Sequence, residues 1–168
     1  MKLNEKLLLY IVTFGGFGLL SKKMPGTIFS VAATLISYLL PKNCELFYIV
    51  SIILFIIGVF VSQFYVEQYP NNKDPGFIVI DEVCAVFLGN AIVLQYYQYN
   101  HSLFILYFVL FRLFDIWKPF PIHWIEVYLR TKPKLLGFGI MIDDVIATIF
   151  ASVSMWGLLK IGIIYNLF

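Results

Sequence analysis

Charge is scarce in this chain: 13% of its 168 residues are Asp, Glu, Lys or Arg, while 61% are hydrophobic and the mean hydropathy is +0.87. Soluble domains carry close to twice that share of charge, so the composition excludes one and points to an integral membrane protein. Cysteine is rare too. Cys44 and Cys84 lie far apart in differently patterned segments, which gives no basis for a disulfide or a thiolate metal site. There is no Ser/Gly-rich linker, internal repeat or low-complexity tract, and a single domain over residues 1–168 is the natural division. No basic block with interleaved aromatics is present either, so a nucleic-acid partner is not expected.

What the chain does contain is long apolar runs. Measured against the ~20 residues that a spanning helix needs, the candidate spans are 28–40, 46–66, 77–97, 102–117 and 140–160, the first and fourth short. Pro25-Gly26, Pro41, Pro70 to Pro75, Asn100 and the run Pro119 to Pro133 fall between them as breakers. The start, with Lys2 and Lys6 before an apolar run, resembles a signal peptide. It lacks a small-x-small cleavage site and is broken early by Gly15, Gly16 and Gly18, so a retained re-entrant or interfacial helix is expected. The predicted fold is all-α, with four to five membrane helices plus that short N-terminal element.

Basic residues orient the spans. Lys22 and Lys23 precede the first, Lys73 separates the second from the third, and Lys118, Arg130, Lys132 and Lys134 separate the fourth from the fifth. The opposite loops hold only Lys42, so the positive-inside rule puts the three basic loops in the cytoplasm. On that topology Asp81 and Glu82, Arg112 and Asp115, and Asp143 and Asp144 converge at one depth, near the cytoplasmic surface.

A carboxylate facing lipid costs roughly 3 kcal/mol at the centre of a span. These acids therefore face something polar. Asp74 followed by Pro75 reads as an N-cap with proline at N1, which would place Ile78, Asp81 and Ala85 on one helix face. Asp81 and Glu82 could be salt-bridged within the bundle, yet Arg112 is the one basic residue inside the spans at this depth, and a divalent cation would supply the missing charge. Arg112 and Asp115, three apart, share a face as an ion pair or as a phosphate clamp with its partner. Lys118 suits a second phosphate or a headgroup, or simply snorkels. Capping at the helix start after Gly137-Phe138-Gly139 could account for one of Asp143 and Asp144, but not for both. Thr27 and Ser30 open a helix whose free N–H groups could meet phosphate, or merely cap it. Hard oxygen donors favour Mg²⁺ over Zn²⁺; His101 lies on the other side of the membrane and His123 is an isolated interfacial histidine.

Four motifs carry a resemblance. "PGT" (25–27), "DPGFIVIDE" (74–82), "FRLFDIWKPFPI" (111–122) and "GFGIMIDD" (137–144) resemble the phosphatidylglycerophosphatase A family in order and spacing, from about Gly15 to Ala151. Ala85 and Phe29 stand where that family usually carries glycine. The resemblance implies a Mg²⁺-dependent phosphatase of the bacterial inner membrane, multi-pass, with its active site facing the cytoplasm. Its substrate would be an anionic phospholipid, phosphatidylglycerophosphate, converted to phosphatidylglycerol. By motif, Asp81, Glu82, Asp143 and Asp144 would hold the metal, Asp115 and Arg112 would act in catalysis, and Lys118, Arg112 and Thr27 would bind substrate.

The residues suit direct hydrolysis better than a covalent route. Neither cysteine is followed by arginine at the spacing of a cysteine-phosphatase loop, there is no Asp-x-Asp, and no histidine stands near the acids. The main alternative is an ion or proton transporter, since buried acids also mark ion paths. The outer halves of the spans offer almost no polar residues for one.

Overall fold

A computed structural model describes residues 10, 11, 13, 15, 25–69, 76–97 and 100–161. Six α-helices account for most of them, with no strand among the described residues: α1 (Pro25–Leu39), α2 (Cys44–Gln68), α3 (Ile80–Tyr96), α4 (His101–Trp117), α5 (Ile122–Arg130) and α6 (Leu136–Lys160). A 3-10 turn, Pro133–Leu135, leads into α6. Asn43 and Asn100 start α2 and α4: each side-chain carbonyl accepts a backbone N–H of the first turn, satisfying a donor that the helix itself leaves open.

The helices are apolar on both sides. Ile49, Ile52, Ile53, Ile56 and Phe60 stand exposed along α2, as do Ile105, Val109, Leu113 and Ile116 along α4. Spacings of three and four put each set on one outward stripe. Inside, α6 is the hub: it packs against α2, α3, α4 and α5, while α1 lies against α3. Phe47, Phe104, Tyr107, Phe111 and Met155 fill the centre with no exposed surface to speak of. A chain that buries large side chains and still presents isoleucine outward is built for a hydrocarbon solvent.

By length and composition, two helices can cross a membrane: α2, and α6 together with the turn before it. The 17-residue α3 and α4 rise only about 26 Å at 1.5 Å per residue, short of the ~30 Å hydrocarbon core. The expected spans 46–66, 102–117 and 140–160 coincide closely with α2, α4 and α6. Three expectations change. The third helix begins at Ile80 rather than after Asp74-Pro75, because Gly76 and Phe77 form a turn and Ile78 and Val79 run on without helix. The proline-bounded run 119–133 is not merely a breaker, since α5 fits between Pro121, at its N-cap, and Pro133. Finally, α6 starts at Leu136, so Asp143 and Asp144 lie two turns inside it, beyond the reach of N-terminal capping. The N-terminal interfacial element, Lys22, Lys23, Lys73 and Asp74 lie outside the described residues.

Candidate active site

Five segments meet at one end of the bundle: the N-termini of α1, α3 and α6, the C-terminus of α4, and α5. Between them is a cavity of about 140 Å³, enough for a phosphate and a few waters but not for a diacyl lipid. Six carboxylates line it, from Asp81 and Glu82 on α3, Asp115 on α4, Glu126 on α5, and Asp143 and Asp144 on α6. Lys118 and Arg130 are the two cationic residues on its wall. That excess of carboxylate repels an anionic substrate unless further positive charge is supplied.

The acids divide into two groups. Asp81, Glu82 and Asp144 offer carboxylate oxygens that all lie within 4.8 Å of one another. On these same three residues, Asp81 Oδ1, Glu82 Oε2 and Asp144 Oδ2 are buried oxygens with no hydrogen-bond partner. An orphaned buried acceptor normally costs 1–3 kcal/mol, more if charged, so three pointing at one place call for a cation. Helix geometry aligns them: Asp81 and Glu82 occupy the first turn of α3, where the dipole favours anions, and Asp144 comes from the facing α6. Hard carboxylate donors without His or Cys fit Mg²⁺.

Asp143 belongs to the other group. Its Oδ2 accepts from Lys118 Nζ at 2.6 Å, and its Oδ1 accepts the Asp144 N–H at 3.0 Å. Successive helix residues diverge by 100°, so adjacent aspartates cannot serve one point equally. Lys118 reaches inward because it closes α4 in the left-handed region, φ 44° and ψ 57°, which costs a non-glycine residue about 1 kcal/mol. Its Nζ also lies 3.1 Å from Glu126 Oε1. Burial works against the lysine's charge, but Asp143 and Glu126 outweigh it and hold Lys118 above the ordinary lysine range.

Arg112 and Thr27 stand apart from the cavity wall. Arg112 NH1 pairs with Asp115 Oδ2 at 2.7 Å, its NH2 donates to Thr27 Oγ1 at 3.0 Å, and NH1 reaches Ser30 Oγ at 3.4 Å. The guanidinium thus ties α1 to α4 and sets the angle of Asp115, which does line the cavity. At the start of α1, Gly26 lies directly against the Glu82 carboxylate.

Glu126 and Arg130 were not candidates from sequence. The available signal was their i,i+4 spacing between two prolines, with Ile122 and Leu129 at the inward positions of the same short helix. Glu126 Oε1 accepts from Arg130 NH2 at 2.6 Å, and His123, on α5 rather than in a loop, places Nδ1 3.8 Å from Glu126 Oε2.

Comparison with known proteins decides the relationship. The family model described as Phosphatidylglycerophosphatase A matches residues 10–159. The chain belongs to the phosphatidylglycerophosphatase A family. A member from Haemophilus influenzae is 34% identical over 146 residues, 85% of this chain and 84% of that protein. One from Escherichia coli K12 is 34% identical over 153 residues, covering 89% and 78%. Both carry the name phosphatidylglycerophosphatase A, and membership makes this chain a phosphatase; the transporter alternative finds no support. No solved structure matches the chain.

Proposed function

We propose that this protein removes the terminal phosphate of phosphatidylglycerophosphate in a Mg²⁺-dependent hydrolysis, giving phosphatidylglycerol. The observation that carries the reading is the convergence of Asp81, Glu82 and Asp144, each with an orphaned buried oxygen, in a family of phosphatases. Those three residues would hold the metal, with Asp143 beside them. A bound Mg²⁺ supplies charge neutralisation at the phosphoryl oxygens and a more acidic water.

The chain's own residues divide the remaining work. Asp115, fixed by Arg112, takes a proton from the attacking water. The new P–O bond forms as the ester P–O bond breaks, and the released glycerol oxygen ends as a hydroxyl carrying a proton. Lys118, held inward by Asp143 and Glu126, stabilises negative charge on the headgroup. Arg112 and Thr27 act through Asp115 and through the placement of α1, since neither lines the cavity.

The same reading places the protein across the bacterial inner membrane four to five times, with the site facing the cytoplasm. Support comes from the outward apolar stripes and from Lys118, Arg130, Lys132 and Lys134 gathering at the site end, against Lys42 and Lys160 at the other. A substrate headgroup made on the cytoplasmic leaflet would lie at that depth.

The deciding experiment is phosphate release from phosphatidylglycerophosphate by the purified protein in detergent, with Mg²⁺ or with EDTA, for wild type and Asp144→Asn. Release that requires Mg²⁺ and collapses in a folded Asp144→Asn is expected. A well-folded wild type that releases nothing overturns the substrate, and release undiminished by EDTA overturns the metal.

A further inference from the structure

The cavity has a second pole that hydrolysis at the acids leaves unused. At its mouth Glu126 Oε1 accepts from two cations, Arg130 NH2 at 2.6 Å and Lys118 Nζ at 3.1 Å. The Glu126 side chain is 13% exposed and that of Arg130 is 44% exposed, so Arg130 stands at the rim with the carboxylate behind it. The outer face of α5 is different in kind: Trp124 and Tyr128 are exposed and stacked, with ring centroids 5.9 Å apart. Aromatic side chains of this sort settle at the headgroup level of a bilayer. One short helix thereby turns a basic edge toward the cavity and an aromatic face away from it.

A lipid substrate must enter past that edge. Phosphatidylglycerophosphate carries two phosphates, the monoester that is cleaved and the diester that joins its glycerol to diacylglycerol. With the monoester at Asp81, Glu82 and Asp144, the cavity is too small for the rest, and the diester emerges at the mouth. Resting on the function proposed above, we propose that Arg130, set beside Lys118 by Glu126, is a specificity-determining residue that grips the phosphodiester of the substrate. A planar guanidinium matches two phosphate oxygens at once, and it can keep one edge on a carboxylate while another meets the phosphate. A lipid with a lone phosphomonoester, such as phosphatidic acid, has nothing to offer this rim. Phosphatidylglycerol, the product, keeps the diester and so occupies the rim alone.

The test compares wild type, Arg130→Gln and Arg130→Lys in mixed micelles. For Arg130→Gln, the KM for phosphatidylglycerophosphate and the inhibition constant of phosphatidylglycerol should each rise about tenfold, as expected for one charge-assisted contact, with a much smaller change in kcat. The preference for phosphatidylglycerophosphate over phosphatidic acid, as a ratio of kcat/KM, should fall by a similar factor, and Arg130→Lys should restore part of it. An equal loss on both lipids, or an unchanged inhibition constant, overturns the proposal. Calorimetric titration with dihexanoyl phosphatidylglycerol gives a reading without turnover. If the wild type hydrolysed nothing, the reaction itself would fall, and this titration would still decide Arg130: weakening of about tenfold in Arg130→Gln sustains the subsite, while equal affinity, or no binding by wild type, removes it.

Discussion

Lys118 Nζ sits 2.6 Å from Asp143 Oδ2, and this contact separates two neighbouring aspartates that the sequence offers as equals. Asp144 turns instead toward Asp81 and Glu82. Different failures are therefore expected. Asp144→Asn should lose Mg²⁺ activation outright. Asp143→Asn should retain a Mg²⁺ response near that of wild type, with weaker substrate binding as Lys118 loses one anchor and keeps Glu126. Since this pair is largely buried but not sealed, removing Asp143 should cost about 1–3 kcal/mol of stability. Mg²⁺ titrations of activity and thermal unfolding in detergent check both claims. Identical Mg²⁺ responses in the two variants would contradict the division.

A second prediction concerns two glycines at close approaches. A methyl group on Gly26 would overlap the carboxylate end of Glu82, whereas one on Gly137 would overlap the α2 backbone at Val59 and Gln63. A flexible carboxylate can move aside and a helix backbone cannot. Gly26→Ala should therefore weaken Mg²⁺ activation by displacing Glu82, with little change in melting temperature. Gly137→Ala should lower the melting temperature, because it separates α6 from α2 and strains the Gly137 N–H bond to Gln63 Oε1, now 2.8 Å. Overpacking of this kind costs about 1–3 kcal/mol. Measured side by side, the two variants should give opposite patterns of lost activation and lost stability.

Sequence made some of this legible. Long apolar runs marked α2, α4 and α6, because a helix bathed in hydrocarbon is apolar all round and needs no periodic signal. The co-location of Asp81, Glu82, Asp115 and Asp144 followed from the positions of acids relative to the ends of those runs. Partnership was harder to read. Nothing in "IDD" says which aspartate turns to lysine, since that depends on where α6 starts, and the start at Leu136 shifts both aspartates two turns inward. Arg112 reads as a phosphate clamp by residue type, yet its partners are Asp115, Thr27 and Ser30, contacts set by the packing of α1 against the rest. The α5 residues were hidden because prolines at 119, 121 and 133 signal a break, while leaving room for nine helical residues between them.

A third prediction lies one turn below the acids. Tyr107, buried on α4, donates its hydroxyl to the Ala85 carbonyl at 2.9 Å, and its oxygen lies 3.1 Å from Thr148 Oγ1. Ala85 is one turn beyond Asp81 and Glu82 on α3, and Thr148 one turn beyond Asp144 on α6. A single hydroxyl thus pins the two helices that carry the metal-binding acids. Tyr107→Phe preserves the ring and removes the pin; Thr148 Oγ1, 3.3 Å from the same carbonyl, remains as a weaker link. The expected stability loss is about 1 kcal/mol, the worth of one buried neutral hydrogen bond. The functional loss should be a severalfold rise in the Mg²⁺ concentration giving half-maximal activity, because small drifts between α3 and α6 spread the three acids apart. Thr148→Val combined with Tyr107→Phe should raise that concentration further than either change alone. A Tyr107→Phe protein that melts lower but keeps the wild-type Mg²⁺ dependence would show that the hydroxyl serves the fold and not the site.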